Sequence, residues 1–191
     1  MSQSRIQGEY MFNMQEMVAG FKFTADGKFE FFHSYGAIDR TASGTFTVEG
    51  KTILLKSDKA AGKDFNVIEQ SKLGIGYSLQ FKDAETYFIN EIRCTFFIGG
   101  ERHDEYTDQK GLLTVPYPHC DSILVFHPLF PDFVTCIKDD KNENNHFVLT
   151  LNPSLAQVSF KGIDFTIEDE ITISCMHNYL IPVEGIRFKK Q

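Results

Sequence analysis

Apolar and polar residues alternate with a period of two through Ala19–Asp58, AGFKFTADGKFEFFHSYGAIDRTASGTFTVEGKTILLKSD. Phe21 and Phe23 are two apart, as are Phe29 and Phe31, so each pair falls on one face of a strand. Between the pairs stands Asp26-Gly27, a hairpin signal, because glycine takes positive φ without a Cβ clash. Phe46 and Val48 then alternate with Thr45 and Thr47. Glu49-Gly50-Lys51 turns the chain into Ile53 and Leu55, while Gly36 and Gly44 punctuate the connection before it. Turns this tight join antiparallel strands.

The same period recurs outside this stretch. Arg5–Phe12 reads as a first strand. Asn13–Ala19 fits one helical turn, with Asn13 as cap, Glu16 at the capping-box position and Gly20 as its stop; it fits the start of a strand equally. Further strands are expected at Phe65–Glu69, Gly74–Phe81, Ile92–Ile98, Leu112–Val115, Asp121–Phe126, Phe133–Ile137, Phe147–Leu151, Val158–Ile167, Glu170–Cys175 and Gly185–Lys189. A change of phase around Gly162 predicts a bulge. Many short strands with tight turns make an all-β chain of barrel or sandwich type. The charged run Lys82-Asp83-Ala84-Glu85 is the expected boundary, dividing 1–82 from 83–191. The other arrangement has the C-terminal strands completing the first module.

Two resemblances follow. Gly8-x-Tyr10, Phe23-x-x-Asp26-Gly27-x-Phe29, Gly44-Thr45-Phe46-Thr47-Val48 and Ile53-x-Leu55 resemble the lipocalin-like β domains of bacteria, which implies an antiparallel meander or partial barrel over residues 1–82. Ile92-x-Cys94-x-Phe96, Thr107-Asp108-x-x-Gly111-x-Leu113 and Asp121-x-Ile123-x-Val125 resemble the carboxypeptidase-regulatory or transthyretin-like β-sandwich, which implies an accessory module over 83–191 with no catalytic site. Taken whole, the chain is similar to Bacteroidetes proteins that carry no activity to transfer.

Composition narrows the function. Phe is heavily used, at 19 of 191 residues, and Trp is absent, which suits strands. The net charge of −7 argues against nucleic acid as a partner, since phosphate binding needs clustered Lys and Arg. No run of apolar residues is long enough to span a membrane. The first residues lack the apolar core of a signal peptide, so a cytoplasmic location is expected, or a secreted one if a leader has been removed. Cys94, Cys120, Cys136 and Cys175 are widely spaced and are expected as buried free thiols. A Cys120–Cys136 disulfide is the alternative and requires an oxidising compartment.

Chemical signatures are few. Pro116–Phe133, PYPHCDSILVFHPLFPDF, carries His119, Cys120 and His127, with Cys136 beyond, and Cys175-x-His177 follows later. The spacing matches no short-range zinc pair, and a strand between two Pro-bounded loops is the plainer reading. Asp140–Asn145 opens like a calcium loop but has Asn145 where glycine belongs and Leu151 where the final carboxylate belongs. His103-Asp104-Glu105 reads as charges on an edge strand, and Asp39-Arg40 as a loop ion pair. No nucleophile-elbow, phosphate-loop or paired-cysteine motif is present. The expected function is a non-enzymatic binding or interaction module for a small apolar ligand or a protein partner, with no cofactor and no metal. Its candidate residues are Phe21, Phe23, Phe29, Phe31, His33 and Tyr35, read either as plain core or as a cavity lining, and His119, His127 and Phe130 in a recognition loop. The competing class is a metal-dependent hydrolase or zinc-binding protein using His119, His127 or His177.

Overall fold

Met17, Ala19, Phe21 and Phe23 are buried while Lys22 between them is exposed, and Phe29 and Phe31 repeat the pattern on the neighbouring strand. The alternation read from sequence therefore separates an inner from an outer face. The computed structural model describes residues 6–83, 86–130, 132–161, 163–175 and 185–191. Among them are sixteen strands in two compact units, Met1–Ala61 with Ala156–Gln191, and Gly62–Leu155.

The first unit begins with β1 (Gly8–Met14), β2 (Met17–Phe23), β3 (Lys28–Tyr35), β4 (Ile38–Glu49) and β5 (Thr52–Ser57). The second unit holds β6 (Phe65–Ser71), β7 (Tyr77–Lys82), β8 (Arg93–Ile98), β9 (Glu101–Tyr106), β10 (Leu112–Val115), β11 (Ser122–Phe126), β12 (Thr135–Lys138) and β13 (His146–Leu151). The first unit then resumes with β14 (Asp164–Ile167), β15 (Thr172–Cys175) and β16 (Ile186–Lys190).

In the first unit β5 pairs with β14, β15 with β16, and β16 with β1, so eight antiparallel strands close in an up-and-down order. The expected division at 82 and 83 is thus not where the units divide. Five N-terminal strands leave two open edges, and the three C-terminal strands satisfy both. The second unit is an insertion between β5 and β14 rather than a successor to the first.

An eight-stranded barrel has an interior just wide enough for side chains to fill or for one small ligand. Here side chains fill it. Phe21 lies 4.7 Å from Phe31, 5.5 Å from Phe160 and 5.0 Å from Phe165, ring centre to ring centre, and Phe31 meets Phe160 edge-on at 5.1 Å. Phe160 comes from the segment that runs beside the upper half of β4, where Val158 N–H donates to the Thr41 carbonyl. Gly44 permits the close wall: a Cβ there would lie 2.0 Å from the Lys56 carbonyl oxygen.

Two expectations need correction, and one open choice is decided. Of the two readings of residues 13–19 the strand holds and the helical turn does not: Met14 pairs with Met17 across a two-residue turn whose Glu16 has φ +62°. Seven ladder pairs to β1 outweigh one isolated turn, which is poorly stable alone. Asp39 and Arg40 are on β4, not in a loop, and alternation sends Arg40 inward, where Nη2 donates to the Gln157 carbonyl at 3.1 Å. Cys136 is exposed, while Cys94, Cys120 and Cys175 are buried, and none of the four forms a disulfide. The bulge expected at Gly162 lies outside the described residues.

The second unit has two four-stranded sheets, ordered β10-β7-β13-β6 and β12-β11-β8-β9. Leu79, Phe81, Phe147 and Leu149 from one share a core with Cys94, Phe96, Ile123 and Val125 from the other. The β7–β13 pair is parallel. No described helix is long and apolar enough to cross a membrane.

Phe160→Ala should cost the barrel about 3–5 kcal/mol, the usual loss for a buried Phe. Denaturant unfolding measures it, and an unchanged midpoint would show that the ring is not part of the core.

Candidate functional site

Of the six residues expected around the barrel, Phe21 and Phe31 border the outer-wall groove described below. Phe21, Phe23, Phe29 and Phe31 are packed core, with at most 4% of their surface exposed. Tyr35 is exposed at the β3–β4 turn. His33 is buried directly opposite Arg40 across β3–β4, and neither of its ring nitrogens has a hydrogen-bond partner among the described residues. Burial pushes its pKa below the ordinary imidazole value; the Arg40 charge adds to this and Asp39 partly opposes it.

The Pro-rich segment is built into the second unit. Pro116 follows the end of β10 and Pro128 follows β11, which ends each ladder as a residue without an N–H must. Tyr77 Oη accepts the Cys120 N–H at 3.0 Å, and Lys138 Nζ donates to the Cys120 carbonyl at 2.9 Å. His127 is buried. Its Nδ1 accepts the Leu129 N–H at 3.2 Å, so Nε2 carries the proton and donates to the Phe88 carbonyl at 3.0 Å. Burial holds this neutral imidazole below its ordinary pKa, partly offset by the Phe88 carbonyl. Phe130 is buried too, 5.0 Å from the His127 ring. Only His119 of the three faces solvent, with Asp121 at 3.3 Å. His119 and His127 sit at opposite ends of β11, so they share no site. His177 lies outside the described residues.

The other polar motifs are occupied by local structure. Asp139 Oδ1 accepts the Lys141 and Asn142 N–H groups, and Asn142 Oδ1 accepts that of Asn144. Asn145 turns inward and pins the Leu73–Gly76 loop, donating to the Gly76 carbonyl at 2.7 Å and accepting the Leu73 N–H at 2.8 Å. Asp104 on the edge strand β9 is held by Thr95 and Arg102. Among the described residues no three of His, Cys, Asp and Glu converge as metal ligands would.

The site that the structure does build is on the outer wall of the barrel. Cross-strand register aligns Met11, Gly20, Phe32 and Thr41 over β1–β4, and beside them Glu9, Lys22, Glu30 and Ser43. These two outward rows, with Phe21, Phe31 and Ala42 between them and Gln157 at one end, line a groove of about 630 Å³. Gly20 is its decisive residue. A Cβ there would lie 2.5 Å from Met11 Sδ and 2.7 Å from the Phe32 ring, so only glycine lets both side chains lean over β2. Phe32 remains 39% exposed on a face where threonine, serine and charged residues dominate. Glu9, Lys22 and Glu30 have no ion-pair partner among the described residues.

Sequence reasoning passed over Met11, Gly20 and Phe32. The available signal was Phe31-Phe32, two adjacent aromatics of which one must face outward. The chain matches no family model, no curated protein and no solved structure.

Both buried histidines bind protons less readily folded than unfolded. Unfolded imidazoles begin to charge near pH 6.5, so stability is complete above that pH and declines as pH falls below it. Each histidine adds at most about 1.4 kcal/mol per pH unit to the slope. Urea unfolding between pH 7.5 and 5 should show this, and His127→Gln should flatten it; a flat wild-type profile would contradict the neutral buried rings.

Proposed function

We propose that this chain is a non-enzymatic binding module whose first unit is a lipocalin-like barrel and whose second is a transthyretin-like accessory sandwich. The up-and-down order of eight antiparallel strands supports the first likeness, since lipocalins use that order. Two sheets sharing one apolar core support the second. The ligand is a small, largely apolar molecule, and it binds the outer groove rather than the barrel interior, which aromatic rings occupy.

The carrying observation is the outer-wall groove in which Met11 and Phe32 lie side by side over Gly20. Its volume lies within the range of small-molecule sites, and its apolar row with adjacent polar groups has the usual makeup of such a site. Nothing in the geometry of the described residues favours the hydrolase reading. His127 is consumed by two backbone contacts, and His119 is exposed beside Asp121.

Titration with the neutral fluorophore N-phenyl-1-naphthylamine should give saturable binding. Phe32→Ala and Met11→Ala should each weaken it by about tenfold, a loss of about 1.4 kcal/mol, with the thermal midpoint nearly unchanged. No saturable binding, or binding indifferent to both variants, would remove the groove from consideration.

A further inference from the structure

We infer that the groove selects cationic apolar ligands, amines carried on a flat aromatic or aliphatic body. This rests on the groove as the binding site and adds the class of ligand. The polar row runs Glu9, Lys22, Glu30 across β1, β2 and β3. Adjacent strands are about 4.8 Å apart, so two carboxylates flank one ammonium within about 10 Å. The row thus carries one surplus negative charge directly beside the apolar row of Met11, Gly20 and Phe32.

Three features act in the same sense. The carboxylate surplus attracts an ammonium, and no side chain among the described residues pairs with either carboxylate. The Phe32 ring, partly exposed at the groove, presents π density that draws a cation within about 6 Å of its centre. The net charge of −7 favours the approach of cations from a distance. An anionic ligand meets the reverse of all three, against the attraction of Lys22 within the row and of Lys189 opposite Met11 on β16. Lys22 has a flexible stem and can swing towards solvent when an ammonium takes its place between the carboxylates. At the far end of the groove Ser43 Oγ donates to the Asp58 carboxylate, and Arg40 and Lys59 donate to the Gln157 carbonyl.

The test compares three probes that share one fluorophore: dansylcadaverine, cationic; dansyl amide, neutral; and dansylglycine, anionic. At low salt dansylcadaverine should bind tightest, about tenfold better than dansylglycine. The preference should shrink as salt shortens the reach of exposed charges, and should vanish in a Glu9→Gln, Glu30→Gln double variant that keeps the neutral probe. Lys22→Met should widen it. Equal binding of all three probes, weakened alike by Phe32→Ala, would overturn the cation preference and leave the groove as the site. If no probe binds, or if Phe32→Ala leaves all three unaffected, the groove itself is overturned.

Discussion

Mutual packing of phenylalanine rings inside a closed wall is the interaction on which the first unit depends. Eight strands enclose a space that water cannot occupy profitably among apolar groups, and rings 4.7–6 Å apart fill it. Phe21 stands at the centre, touching Phe23, Phe29, Phe31, Phe160, Phe165 and Phe188. Three of those partners arrive only after the whole second unit has been traversed. The N-terminal strands therefore cannot complete their own core. Closure is a long-range event, and its register is fixed because a slip by one residue would turn the rings into solvent.

The second unit solves its interior differently. Several of its buried polar groups are matched to backbone. Asn145 secures the Leu73–Gly76 loop, and Thr107 accepts the Ile92 N–H and donates to the Ile89 carbonyl. Lys138 donates to the carbonyls of Cys120 and Asp139, and His127 closes the loop after β11. Each contact satisfies a backbone group that would be costly to bury unpaired. Residues with chemical potential are thereby committed to holding loops. The first unit leaves the His33 ring and the Tyr10 hydroxyl without partners among the described residues.

Much of this was legible in residues 19–58. Alternation fixed which phenylalanines face inward, and Asp26-Gly27 and Glu49-Gly50 marked two hairpins where the chain does turn. The β1–β2 turn was hidden because Gln15-Glu16 carries no turn residue; the ladder imposes its geometry and puts Glu16 at positive φ. Barrel closure was offered only as an alternative, because no local pattern tells β5 that its partner is β14. Prolines announced the loops around β11, but a proline marks where a ladder ends and not which way the next side chain points. His127 and Phe130 therefore read as exposed when they are packed. The groove depends on residues from several strands in register, and Gly20 taken alone reads as a helix stop.

The filled interior and the open groove are two faces of the same ladders. Tyr10, Phe21, Phe31 and Ala42 align inward across β1–β4, and Met11, Gly20, Phe32 and Thr41 align outward one step along. Because the period is two, a strand that commits one residue to the core commits its neighbour to the outer wall. Phe31 is held by the core, so Phe32 must stand outside, and Gly20 gives it somewhere to lean. Exposing a phenylalanine brings the barrel little stability, and replacing Gly20 with any side chain would crowd Met11 and Phe32. Both residues weaken the wall as structure, glycine by loosening a strand and phenylalanine by facing water. Their coincidence on adjacent strands, beside a row with surplus carboxylate, is what gives the outer wall a character that core packing alone does not require.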